Sequence, residues 1–138
     1  MGQPVVPSLY FAFDRGTLEI KFAAIREENM RKVAANYICL PGKPLVKNGY
    51  VVLKEGMPVE VVDTGGVVTE IAGLEFYGGM LVADYICGKE GCFAAGEPLA
   101  DVLGRLYGEG GRVCGIAIIE GADLRRLEWK AGARVRKL

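Results

Sequence analysis

Histidine is absent from this sequence, and Ser8 is its only serine. The first absence removes the side chain that most often moves protons near neutral pH and most often ligates transition metals. With the second, it leaves no Ser-His-Asp arrangement that the chain can assemble by itself. Any catalysis would have to rest on carboxylates, lysine, tyrosine or cysteine. No catalytic residue, cofactor or metal is assigned from the sequence.

Long apolar runs are missing too. No stretch approaches the roughly 18 to 20 residues needed to cross a bilayer, and MGQPVVPSLYFAF lacks the basic start and long apolar core of a signal peptide. The Met-Gly start carries Val6 where a myristoylation motif has serine or threonine. These features predict a cytoplasmic protein with no membrane partner. Heat-labile amides are scarce, with Gln3, Asn29, Asn36 and Asn48 the full set. That is a hyperthermophile-type composition, from organisms in which intracellular disulfides are common.

What is plentiful is apolar surface. A chain of 138 residues is the size of one domain able to bury its own core, and the sequence is read as one globular domain, 1–138. Hydrophobic residues make up 51% of it and the mean hydropathy is +0.22, high enough to predict apolar surface covered by a partner, most simply in a homo-oligomer. Formal charge sums to zero but is unevenly placed: +4 over 1–54, −9 over 55–123 and +5 over 124–138. Such asymmetry predicts complementary contact within the fold or between chains.

The apolar pattern predicts an α+β fold, a mainly antiparallel sheet (hairpin plus meander) with two α-helices. LYFAFDRGTLEIKF alternates like a hairpin around Asp14-Arg15-Gly16. Residues 24–38 place Ile25, Met30, Val33 and Tyr37 at helical spacing, with Glu27 and Glu28 four positions before Arg31 and Lys32, and LPGKPL as a terminator. YVVLK, PVEVVD, VVTEIAGLEF and MLVADYIC then read as meander strands separated by turns at Glu55-Gly56, Gly65-Gly66 and Gly78-Gly79. GEPLADVLGRLYGEGG reads as a second helix and RVCGIAII as a central strand, before a basic C-terminal segment, 124–138.

Three groups of residues invite chemistry. Asp14, Glu19 and Lys21 superficially resemble the carboxylate-lysine set of metal-dependent nucleases, although alternating charges on a solvated strand look the same. The glycine-rich GEGGR follows a helix instead of preceding one, so it reads as a helix-ending turn and not a phosphate cradle. The basic end, Arg125, Arg126, Lys130, Arg134, Arg136 and Lys137 around Trp129, combines phosphate attraction with a flat ring able to stack on a base. It is the candidate nucleic-acid or anion contact.

Of the four cysteines, Cys39 and Cys114 lie in apolar runs and read as small core residues. Cys87 and Cys92 flank Gly88-Lys89-Glu90-Gly91. Their spacing is too wide for a zinc knuckle or a Cys-x-x-Cys couple, and predicts a disulfide across a hairpin loop. The leading functional expectation is a small non-catalytic binding or assembly protein that forms oligomers through complementary acidic and basic surfaces. The second is a nucleic-acid-binding accessory protein using the Trp129 segment. The third is a thiol redox protein or metal-dependent nuclease.

Overall fold

In the computed structural model, residues 30–65 and 71–138 are described. The chain parts into two compact units, Met1–Met30 and Arg31–Leu138. The sheet below belongs to the second unit, apart from its first residue. The expected N-terminal hairpin, with Asp14, Glu19 and Lys21, lies outside the described residues, as do 24–29 and 66–70.

The described residues form one seven-stranded sheet and one α-helix. The strands are β1 (Met30–Ile38), β2 (Val46–Lys47), β3 (Tyr50–Lys54), β4 (Met57–Val62), β5 (Leu74–Ala83), β6 (Ile116–Glu120) and β7 (Arg134–Lys137), and the helix α1 is Leu99–Gly108. Their order across the sheet is β4-β3-β1-β5-β6-β7, with β2 paired antiparallel to β1. The ladders β3–β4, β5–β6 and β6–β7 are antiparallel, whereas β1 and β5 run parallel.

Two expectations are corrected here. Residues 30–38 are a strand, so the first of the two expected helices, 24–38, is not formed over its described part, while the second is present as α1. The reason is burial: Val33, Ala34 and Ala35 are consecutive and all buried, because β1 lies inside the sheet with both faces covered. A strand covered twice loses its period-2 alternation, and the apolar spacing left over resembles a helix. Second, the chain from Leu74 to Ala83 does not turn at Gly78-Gly79 but continues as β5, so the meander is interrupted by a parallel pair.

Gly79 shows why glycine stands in a strand interior. Its φ is +141°, a Cβ there would overlap the Ile119 carbonyl oxygen, and its N–H donates to Asn36 Oδ1 at 2.9 Å. Asn36 lies at the register shift between Ala35 and Tyr37, so one side chain fills the irregularity in the β1–β5 ladder. The glycine marks close backbone approach, not a turn.

Two cores result, one on each face. On the first, α1 lays Leu99, Val102, Leu103 and Leu106 against Met80 and Val82 of β5 and Ala117 and Ile119 of β6. The alternate residues Leu81, Ile116 and Ile118 face the second core with Val33, Ile38, Val51 and Leu53. Although β1 and β5 separate β3 from β6, the Gly56 carbonyl oxygen in the β3–β4 turn lies 3.5 Å from where a Cβ on Gly115, just before β6, would stand, so the sheet curls toward its second face. Tyr107 ties the helix to the strands. Its hydroxyl donates to the Cys39 carbonyl at 2.6 Å and accepts the Ala83 N–H at 3.2 Å, and burial holds its pKa above the usual phenol range.

Both sheet edges are blunted. At β4, Glu55 and Gly56 have φ of 53° and 84° and close a two-residue turn, so Pro58, at the next pair, turns its nitrogen away from β3. Val59 is then an extra residue between Leu53↔Pro58 and Val52↔Glu60. At β7, the Val135 N–H donates to the Glu90 carboxylate at 3.1 Å, and arginines and a lysine flank it. Prolines, bulges and charges at edges oppose strand addition.

Gly79→Ala should lower stability by at least about 2 kcal/mol, from the strained φ and the carbonyl clash together. Urea unfolding of the variant against the parent measures it, and an unchanged midpoint would contradict the close approach.

Candidate functional site

The polar side chains that converge in the described structure lie on the curled face of the sheet, next to the second core. Arg31 on β1 grips Glu75 on β5 with two hydrogen bonds, Nε to Oε2 at 2.9 Å and a terminal nitrogen to Oε1 at 2.8 Å. The Tyr77 hydroxyl donates to the same carboxylate at 3.1 Å. The Arg136 guanidinium lies 6.0 Å from the Tyr77 ring centre and bonds Glu120, with its shortest contact at 2.8 Å. Arg134 also reaches Glu120, at 3.1 Å. Register explains the convergence, since Glu120 faces Arg134 and Ile118 faces Arg136 across β6–β7, putting both arginines on one side.

The protonation state of this array is settled by its pairing. The Arg31 hydrogen bonds hold Glu75 below the usual carboxylate range, with Tyr77 helping. Arg136 first, and Arg134 second, do the same for Glu120. Glu97 is lowered by the Ala94 N–H and then by Arg105. A general base or acid near neutral pH needs a carboxylate shifted upward. These three are shifted downward, away from that range.

The basic C-terminal residues do not form a free tail. Trp129 is 6% exposed and stacked on Phe93, with centroids 4.4 Å apart and planes 21° apart. Its N–H and carbonyl are also used, toward Glu97 and Gly96. The ring is therefore a core residue, and the expectation of a base-stacking platform at Trp129 is corrected. Arg125 and Arg126 are exposed and donate backbone N–H bonds to Asp123 Oδ1 at 3.0 and 3.2 Å. Lys130 and Lys137 are exposed. The structure brings Arg134 and Arg136 together on Glu120, whereas Trp129 is committed to the core.

The cysteines also differ from expectation. All four thiols are free. Residues 84–93 are not a hairpin: Asp84–Ile86 and Glu90–Cys92 are successive 3-10 turns, in which Lys89 N–H bonds Ile86 O at 3.0 Å and Cys92 N–H bonds Lys89 O at 2.9 Å. Without two facing strands, the geometry on which the Cys87–Cys92 disulfide was based is gone. Burial raises the Cys39 and Cys87 thiols above their usual range, Glu90 and Asp84 adding to the effect at Cys87. Cys92 and Cys114 are exposed. Among the described residues, no group of three potential metal ligands occurs.

The remaining feature is a groove of about 210 Å³, lined by Leu40, Pro41 and Lys43 from the bend after β1, Pro58 to Val61 from β4, and Val113. Its signal in the sequence was present but unread: Pro58 and Val59 break the β4 ladder and expose apolar side chains beside a proline-containing bend. Small-molecule sites span roughly 300 to 1,000 Å³, so this groove is too small for an ordinary cofactor and large enough for a protein side chain or two.

No protein-family model, curated protein or solved structure matches the chain. No helix among the described residues is long and apolar enough to cross a membrane.

Two measurements test this picture. Thiol titration of the denatured protein should find four thiols with or without reductant, and brief alkylation of the native protein should label Cys92 and Cys114 ahead of Cys39. For Glu120, the sign follows from its lowered folded pKa: its stabilising contribution is present above the unfolded value of about 4.3 and is lost as pH falls through the lower folded value. Glu120→Gln should therefore cost stability at pH 7 and shrink the difference from the parent as pH falls from about 5 to 3. Thermal unfolding across that range reads the effect.

Proposed function

We propose that this chain is a small non-catalytic assembly protein that associates with copies of itself. The observation that carries the reading is the contrast between its polar and apolar surfaces. The carboxylates of the converging array are ionised and held by arginines, which suits them to fixing the sheet face and not to moving protons. Large apolar side chains meanwhile stand in water: Val59 is 55% and Met57 44% exposed on one edge strand, and Phe76 is 64% exposed on β5. Exposed apolar side chains grouped together mark an interaction site, and Met57 and Val59 stand two residues apart on the edge strand β4.

Some of the complementary charges anticipated between chains are instead paired within this one. Arg105 bonds Glu97, Arg134 and Arg136 bond Glu120, and Glu90 caps Val135. This makes apolar packing the main source of association, with charge setting its geometry. Nucleic-acid contact through Arg125, Arg126, Lys130 and Lys137 is the alternative, and Trp129 burial counts against its stacking component.

Sedimentation velocity over about 10 to 500 μM chain decides between them. Self-association that survives 0.5 M salt is the expected result, because apolar burial is not screened. A salt-insensitive monomer throughout, or a monomer whose only complex is with oligonucleotide at low salt, would overturn the assembly reading.

A further inference from the structure

Resting on that assembly reading, we infer that the interface is the groove beside β4, occupied by a second copy of this chain across a two-fold axis, with Lys43 of each copy against Glu60 of the other. The groove selects its occupant by size and chemistry. About 210 Å³ admits a side chain or two, and six of its eight lining residues are apolar, so the fitting group is an apolar knob. Such knobs stand on the same edge strand: Val59, which lines the groove and is bulged out of the β3–β4 ladder, and Met57, two residues before it. A patch that holds both the hole and the knob meets the condition for an isologous contact, in which the same surface serves both partners.

Charge fixes the orientation. Lys43, from the bend after β1, and Glu60, from β4, both line the groove, both are exposed, and no ion pair joins them. Two-fold docking brings each against the other's counterpart, so the pair forms twice. The same edge excludes the other common way for sheets to associate. Pro58 lacks an N–H where an added strand would need one, and the bulge at Val59 interrupts the pitch of the ladder, so the partner docks through side chains and not as an eighth strand.

The test uses the full chain and three surface variants, Val59→Glu, Lys43→Glu and Glu60→Lys, with circular dichroism confirming the parent fold in each. The parent should sediment as a dimer, Val59→Glu as a monomer, and each charge reversal should weaken self-association by about tenfold or more. The decisive arm mixes the two reversed chains. A Lys43→Glu copy and a Glu60→Lys copy restore both opposite-charge contacts, so a heterodimer should form at about the parent's affinity. A dimeric parent whose self-association none of the variants alters, or reversed chains that fail to recover on mixing, would overturn the groove assignment while leaving assembly standing. A monomeric parent at about 500 μM would overturn both.

Discussion

Everything in this sheet depends on β5 being covered on both faces while it is also paired on both edges. From Met80 to Ala83 every side chain is buried; Met80 and Val82 face α1 and Leu81 the second core, Met80 and Leu81 pair with β1 on one side and β6 on the other, and Val82 and Ala83 pair with β6. A segment so enclosed tolerates no charge and no unpaired backbone group. The polar residues are accordingly displaced to where the enclosure ends. Glu75 and Tyr77 lie in the half of β5 that precedes the core, and Glu120 at the far end of β6.

This displacement gives the charged array its character. Arginine suits such half-covered positions because its planar fork satisfies a carboxylate with two bonds, as Arg31 does for Glu75. The array joins β1 to β5 and β6 to β7, so its ion pairs act across the ladders, with the Tyr77–Glu75 bond running along β5. At 40% and 37% exposure, the Arg31–Glu75 pair is a locator of strand ends more than a source of stability, since solvent-exposed ion pairs contribute little.

Much of the fold was legible in the sequence where local signals and tertiary context agreed. The Glu55-Gly56 turn between β3 and β4, the amphipathic Leu99–Gly108 helix and the apolar run of β6 follow from turn chemistry and period alone. Elsewhere the determining partner was distant. Arg31 looks like the helical partner of Glu27 but bonds Glu75, 44 residues away, and Gly79 looks like a turn but answers to the carbonyl of Ile119. Of the candidate site residues, Arg134 and Arg136 proved to be placed by Glu120, which nothing local in their own segment reveals. Trp129 misled because an aromatic among basic residues looks the same whether it faces a base or Phe93. The groove had only a partial signal, at Pro58 and Val59, because its other walls come from residues 40–43 and 113, stretches that only the tertiary fold brings together.

The Tyr107 hydroxyl holds the ends of two central strands at once, through the carbonyl that follows β1 and the last amide of β5. If α1 lifts from the sheet, both backbone groups lose their partner in the same event. Helix undocking and fraying of the β1 and β5 ends are thereby coupled, so the Ala83 amide opens when α1 does.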